Sequence, residues 1–124
     1  PKVCLINKYS ASDGDLFPWG FRALGLGKLI GTRTWGGIVG ISGSLPYMDG
    51  TDIRVPFFTS FDPKTGSWII ENHGVDPDIL IDNDPVKEWN GEDQQLDRAI
   101  QEVMKELQNR KPLPGVPTPR DFSK

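Results

Sequence analysis

A serine in a short polar segment is the residue whose type and setting best fit nucleophilic chemistry. Ser12 lies within Tyr9–Asp15, which follows the apolar run Val3–Ile6. A strand that turns sharply into a helix exposes a serine hydroxyl, and the helix N-terminus directs N–H groups towards developing negative charge. Gly14 gives the backbone freedom for that bend, and the Asp13 N–H is then a natural oxyanion donor. This setting is typical of acyl transfer.

The same residues also fit an ordinary helix cap. Serine, aspartate and glycine are the residues that helix N-termini generally need. The G-x-S-x-G motif of many hydrolases is absent, because Ser10 occupies the position of its first glycine. Spacing alone leaves both interpretations open.

Few other side chains could take part in catalysis. His73 is the only histidine and follows Glu71 by two residues. Glu71 could be a catalytic carboxylate or, equally, a solvated or capping residue at a strand end. Cys4 is expected to be a buried core thiol. One cysteine and one histidine are too few for a structural zinc site, and we expect no metal or cofactor.

The composition argues against two classes of partner. The net charge is −3 and lysine and arginine form no basic cluster, so we expect no nucleic-acid partner. No apolar stretch approaches the length of a transmembrane helix, so we expect no membrane partner. The 124 residues suffice for one domain. Because an apolar, strand-like run follows Pro1 almost at once, the sequence reads as a piece of a longer protein.

The elements around Ser12 predict a βαβ unit. The run Val3–Ile6 reads as a buried strand, and Lys28–Gly31 reads as a second one. Between them Phe17, Phe21 and Leu24 have the i, i+4, i+7 spacing of one helix face, with Pro18 tolerable in the first turn. Two strands joined in this way should be parallel.

The rest of the chain predicts turns, short strands, one long helix and a tail. Trp35–Ile41 is punctuated by glycines, which would let a ligand approach the backbone. Asp49-Gly50 predicts a hairpin turn, and Trp68–Ile70 and Ile79–Ile81 are strand-like. A C-terminal helix starting near Asp93 is predicted by an apolar stripe of Leu96, Ile100, Val103, Met104 and Leu107. We expect a lobe over residues 1–110 and a proline-rich tail over 111–124.

Three segments resemble the C-terminal catalytic domain of tricorn-type serine proteases, in the superfamily of tail-specific or carboxy-terminal processing proteases. They are Asn7–Phe17, Gly25–Gly37 and Glu71–Asp78, in the order and spacing of that family, and the resemblance covers about residues 3–108. It implies an α/β fold: a mixed sheet with the βαβ unit around the nucleophile turn, one long C-terminal amphipathic helix, and a ClpP/crotonase-like core.

The resemblance also implies residue roles. Ser12 would be the nucleophile, the Asp13 backbone amide one half of the oxyanion hole, and Glu71 the acid of a Ser-His-Ser-Glu relay. In that family the histidine, its neighbouring serine, the second oxyanion donor and an acidic determinant of basic P1 preference lie upstream. None of them has a match here, so we expect the isolated chain to hydrolyse peptides poorly or not at all. His73 stands where the family tends to carry an aromatic residue, and we expect it to be a surface or packing residue.

The related tail-specific proteases use a Ser-Lys dyad, in which the lysine follows an aromatic-glycine pair. Here Trp35-Gly36 is followed by Gly37, and Lys28 lies seven residues before Trp35, which does not match. This departure favours the histidine-dependent mechanism.

The substrate is expected to bind as an extended peptide. Its binding residues would be the run Gly37, Ile38, Val39, Gly40 and Ile41, acting as an exposed edge, although a simple core strand is an equal alternative. The expected partners are peptide substrates and the remainder of the parent protease, which would be a cytoplasmic homo-oligomer.

Two interpretations without catalysis remain open. Related folds include retinoid-binding modules, and the four tryptophans and six phenylalanines could line such a hydrophobic pocket, although aromatic residues more often fill a core. The piece could also be a folding or assembly lobe whose proline tail docks on a neighbour.

Overall fold

The Ser12 turn is carried by a small parallel sheet, seen in a computed structural model that describes residues 1–41 and 46–121. Within those residues there are eight elements, in chain order β1 (Val3–Ile6), α1 (Asp13–Ala23), β2 (Lys28–Gly31), β3 (Gly40–Ile41), β4 (Pro56–Phe58), β5 (Ile79–Leu80), α2 (Pro85–Trp89) and α3 (Gln94–Gln108). The fold is mixed α/β, as predicted.

The predicted βαβ unit is confirmed. Strands β1 and β2 are parallel, with Val3 opposite Lys28 and Ile6 opposite Gly31. Strand β5 joins the other side of β2 in parallel, so the sheet order is β1-β2-β5. Leu29 in the central strand has no exposed surface, because helices and loops cover it.

The hydrophobic core lies between this sheet and α1. Its buried members are Ile6, Phe21, Leu29 and Val75, with Cys4, Trp19 and Ile70 packed against them. Cys4 is half-buried, and this burial raises the pKa of its thiol.

Helix α1 presents a different face to the core from the one predicted. Phe17 and Leu24 are 65% and 74% exposed, and only Phe21 of the predicted stripe is buried. The buried face is instead Asp15, Pro18 and Phe21. Pro18 was expected to be tolerable if it lay in the first turn; it is the sixth helical residue and lies beyond that turn. A face chosen by counting apolar residues cannot include a buried carboxylate, which explains the error.

The middle of the chain forms a small antiparallel pair and several turns. Strands β3 and β4 pair through Gly40 and Phe58, and a turn closed by the Gly50 N–H and the Tyr47 carbonyl lies between them. The predicted strand at 68–70 is wrong: Trp68 makes one isolated bridge with Phe61. The chain then bends at Ile70, whose φ is +25°.

The C-terminal helix is confirmed. Asp93 caps α3 by accepting the Leu96 N–H at 2.9 Å, and α3 packs on β1 and β2. Its most buried residues are Ala99 and Glu102. The short α2, capped by Asp84, was not predicted. Residues 111–121 contain no helix or strand, and 122–124 of the predicted tail lie outside the described residues. None of the described helices is long and apolar enough to span a membrane.

Candidate active site

The backbone at Ser12 has a conformation that few residues other than glycine adopt. Its φ is +56° and its ψ −113°, and Ser12 is exposed directly before the first residue of α1. Such strain costs on the order of 1–3 kcal/mol and persists where the surrounding structure enforces it, often at functional sites. The Ser12 side chain makes no capping hydrogen bond to the helix. The hydroxyl therefore stands on the bend without acting as a helix cap.

The first turn of α1 leaves one backbone N–H, that of the residue next to Ser12, without an acceptor among the described residues. The amides of Asp15 and Leu16 donate to the Ser12 carbonyl at 2.8 and 3.0 Å, and the Gly14 amide donates to the Ala11 carbonyl at 2.8 Å. The Asp13 amide has no acceptor among residues 1–41 and 46–121. An unpaired N–H at a helix N-terminus, beside a serine, is the arrangement that stabilises an oxyanion.

Glu71 is the first residue of the turn at residues 71–73. One of its carboxylate oxygens, Oε2, accepts the N–H groups of Ile38 and Val39 at 2.7 and 3.0 Å. The side chain is half-buried. Glu71 is thus bound directly to the backbone of the predicted substrate segment.

Ser12, Glu71 and most of the predicted substrate segment line one cleft of about 460 Å³. Its full lining is Ser12, Trp35, Gly37, Val39, Gly40, Ile41, Pro56 and Glu71. Ile38 does not line it, because its side chain is 5% exposed and faces the interior. The structure therefore brings Ser12 and Glu71 to one cavity, and Asp13 is not among the residues that line it.

The edge of this cleft is formed by β3. In the part of the chain that the structure describes, β3 pairs with β4 alone, so its other edge carries no strand. Ile41 at this edge is 61% exposed. An unpaired strand edge can accept an extended peptide through main-chain hydrogen bonds.

His73 is outside this cleft. Its Nε2 atom lies 2.7 Å from the Asp76 carboxylate, and its side chain is 59% exposed. It is not among the residues lining the space in front of Ser12. This position is the one expected of a surface residue.

Asp15 is the residue that sequence reasoning missed. It is fully buried, and its two carboxylate oxygens accept the N–H groups of Gly36 and Gly37 at 2.7 and 3.2 Å. The only trace in the sequence is that Asp15, Pro18 and Phe21 are spaced by three residues, which places an acid on a buried helix face. Among the described residues, no group of three or more His, Cys, Asp or Glu side chains is arranged to hold a metal ion.

Comparison with known proteins finds a family match and several relatives of this chain. The pattern of Peptidase family S41 matches residues 1–81. The tricorn protease of Thermoplasma acidophilum is 46% identical over 107 residues, which are 86% of this chain and 10% of that protein. Tricorn protease homolog 1 of Streptomyces coelicolor is 43% identical over 100 residues, or 81% of this chain and 9% of that protein.

Solved structures of two proteases are also similar to this chain. The crystal structure of the tricorn protease superposes with a TM-score of 0.78 at 46% identity, covering 86% of this chain and 10% of that one. The photosystem II D1 C-terminal processing protease gives a TM-score of 0.50 at 26% identity, covering 66% of this chain and 20% of that one. The chain spans about a tenth of the length of its tricorn relatives. The matched family pattern shows that the chain belongs to peptidase family S41, and over most of its length it is similar to a part of the tricorn proteases.

Proposed function

We propose that these residues form the nucleophile-bearing lobe of a serine peptidase that hydrolyses peptide bonds through an acyl-enzyme at Ser12. One observation carries the proposal. The Ser12 hydroxyl is exposed at a strained bend, makes no capping hydrogen bond, and shares its cleft with Glu71. The free Asp13 amide next to it supplies the donor that a tetrahedral intermediate requires.

The reaction follows the general course of serine hydrolysis. The Ser12 hydroxyl oxygen attacks the scissile carbonyl, and a histidine takes its proton and then gives it to the leaving amine. The Asp13 N–H and a second donor hold the oxyanion, and water later cleaves the acyl-serine ester. Glu71 is proposed as the acid of the relay, and the peptide lies extended beside Gly37, Val39, Gly40 and Ile41.

The histidine and the second donor are proposed to come from sequence outside these residues. The chain has one histidine, His73, whose Nε2 lies 2.7 Å from the Asp76 carboxylate and which is not among the residues lining the cleft in front of Ser12. Without a base, a hydroxyl is a weak nucleophile at neutral pH. The 124-residue chain by itself is therefore expected to be nearly inactive.

The parent protein follows from the same proposal. We expect the chain to act with the remainder of a longer cytoplasmic protease that assembles as a homo-oligomer and takes peptides as substrates. The hydrophobic-ligand alternative has no specific support, because Trp35, Trp68 and Trp89 are each at least 67% exposed and no described pocket gathers them.

Two reagents test the proposal. A fluorogenic peptide should not be hydrolysed by the 124-residue chain but should be hydrolysed by a protein that includes the preceding sequence. In that longer protein an organophosphonate should label Ser12, and Ser12→Ala should abolish both labelling and turnover. Ser10→Ala is the matched control, because Ser10 is two residues away and its hydroxyl serves only the local turn through the Asn7 N–H at 3.1 Å.

Two results would contradict the proposal. Clear turnover by the 124-residue chain, lost in Ser12→Ala, would show that the base lies within these residues. Labelling of the longer protein at another serine would remove Ser12 as the nucleophile.

A further inference from the structure

Two carboxylates hold four consecutive backbone amides in the wall of the cleft. Asp15 accepts the N–H groups of Gly36 and Gly37, and Glu71 accepts those of the next two residues, Ile38 and Val39. Asp15 belongs to the nucleophile helix, and Glu71 to the turn across the cleft. The first two amides of segment 36–39 are therefore bound by helix α1, and the last two are bound by the turn that carries Glu71.

The residues around the Asp15 carboxylate are closely packed. The carboxylate has no exposed surface, and a buried charge is tolerated only where hydrogen bonds compensate it. Next to it the Trp35 N–H donates to the Ser10 carbonyl at 2.9 Å. Gly36 has a φ of +87°, and a Cβ there would lie 2.5 Å from the Gly74 nitrogen. The backbone at 35–37 thus has little room to move relative to the Ser12 turn.

We propose that Asp15 is a positioning residue that sets the distance between the Ser12 hydroxyl and the segment along which the peptide lies. This rests on the proposed function of Ser12. Asp15 comes three residues after Ser12 on the same helical turn, so its bonds to Gly36 and Gly37 connect the nucleophile and the substrate wall directly. It is not among the residues that line the cleft.

A positioning role differs measurably from a purely structural one. If the wall shifts as a unit, a peptide still binds along it, but its carbonyl no longer meets Ser12 in the attacking geometry. A misplacement of about 1 Å can cost on the order of 100-fold in rate. The loss should then fall on kcat rather than on KM. A small organophosphonate, which does not need the wall, should react with Ser12 almost as before.

The first measurement needs no substitution and no activity. Amide hydrogen exchange of the 124-residue chain should show strong protection at Gly36 and Gly37 compared with Gly115, which lies in the tail with nothing packed around it. Exchange at Gly36 and Gly37 as fast as at Gly115 would overturn the proposal.

The second measurement uses Asp15→Asn, which keeps the shape but replaces one acceptor oxygen with a donor group. Exchange at Gly36 and Gly37 should accelerate, while Leu29 and Ile30 in the sheet stay protected. Asp78→Asn is the matched control, because Asp78 also accepts a backbone amide, that of Leu29 at 2.7 Å, but lies outside the cleft. It should lower stability without selectively exposing Gly36 and Gly37.

The third measurement compares kinetics in the longer protein. Asp15→Asn should lower kcat for a peptide by roughly 100-fold with KM and organophosphonate labelling changed far less. Unchanged kcat, or equal losses in peptide turnover and in labelling, would overturn the positioning role. Failure of the proposed function is distinguishable, because the unsubstituted protein would then show neither turnover nor labelling at Ser12.

Discussion

Glu71 holds the Ile38 and Val39 amides with a single oxygen atom, Oε2. Its other oxygen has no hydrogen-bond partner among the described residues. One side chain can therefore anchor the proposed substrate segment and still offer an acceptor to the proposed relay. The two roles depend on different properties: anchoring needs an oxygen acceptor, and the relay needs the negative charge that stabilises a protonated histidine.

Glu71→Gln separates these two roles. A glutamine oxygen can still accept both amides, so hydrogen exchange at Ile38 and Val39 should remain slow. Peptide turnover by the longer protein should nevertheless fall by roughly 100-fold or more, because the charge is lost. Glu71→Ala is the comparison, and it should lose both amide protection and turnover. Full activity in Glu71→Gln together with loss in Glu71→Ala would leave Glu71 with the anchoring role alone.

At this scale the sequence predicted the turn that carries Ser12, but it did not predict the buried carboxylate of Asp15. The turn at residues 12–14 is recognisable from the sequence, because serine and aspartate are typical of helix N-termini and glycine permits a sharp bend. The role of Asp15 is not, because its partners Gly36 and Gly37 are more than twenty residues away and the pairing depends on tertiary contact. Ile38 was predicted with its neighbours to bind substrate; its side chain is buried and does not line the cleft, which the sequence pattern did not indicate.

At the scale of elements, the βαβ unit and α3 were predictable because their signals are local. Continuous apolar runs indicate buried strands, and an acid before an apolar stripe indicates a capped helix. The face of α1 was not predictable, because a buried aspartate replaces an apolar residue on it. The strand predicted at 68–70 failed because the turn at Glu71 and Asn72, where φ of Asn72 is +62°, redirects the chain.

Helix α3 is joined to the sheet by a charged cluster around Glu102. Its carboxylate is 2.7 Å from Lys28 on β2, 2.8 Å from Arg98 and 3.1 Å from Lys105, with 5% of its side chain exposed. The hydrogen bonds from Lys28 and then Lys105 lower the pKa of Glu102 from 4.5 to about 2. The hydrogen bond between Lys28 and Glu102 also raises the pKa of Lys28.

The direction of the pH dependence follows from these shifts. A carboxylate whose pKa is lowered on folding contributes stability fully above its ordinary value of 4.5, and this contribution is lost as the pH falls towards about 2. Glu102→Gln should therefore lower Tm at neutral pH, and the difference from the unsubstituted chain should shrink as the pH falls from 4.5 through about 2. Thermal unfolding followed by circular dichroism measures it.

The control for this prediction is Glu88→Gln on α2. Glu88 is exposed and makes no ion pair among the described residues, so the change should leave Tm close to that of the unsubstituted chain at both pH values. A Glu102→Gln difference that stays constant from neutral to acid pH would show that the cluster acts through packing rather than charge.

At the scale of the whole molecule, α3 and β1 share an apolar surface that no part of residues 1–41 and 46–121 covers. We call it the α3 groove; its residues are Val3, Leu5, Leu96, Ala99, Ile100, Val103 and Met104. Ile100 and Met104 are 52% and 53% exposed. Periodicity shows which face of a helix is apolar, but it does not show what covers that face. A contiguous exposed apolar surface is typical of one buried in a larger assembly, and the chain spans about a tenth of its tricorn relatives.

The groove should dominate the solution behaviour of the 124-residue chain. We expect the chain to bind an environment-sensitive hydrophobic dye and to self-associate at high concentration, because exposed apolar surface gains about 25 cal/mol for each Å² it buries. Ile100→Gln combined with Met104→Gln should reduce both effects, as measured by dye fluorescence and sedimentation velocity. The cost in stability should be small, on the order of 1 kcal/mol, because both side chains are already half in solvent.

The matched control replaces two apolar residues of the tail, Leu113→Gln and Val116→Gln, which are 72% and 96% exposed and lie outside the groove. The composition changes by the same kind of substitution, so a general effect of hydrophobicity would appear in both variants. If the tail variant lost dye binding and the groove variant kept it, the dye would be reporting the tail. If only the groove variant lost both dye binding and self-association, α3 and β1 would be the surface through which the 124-residue chain associates.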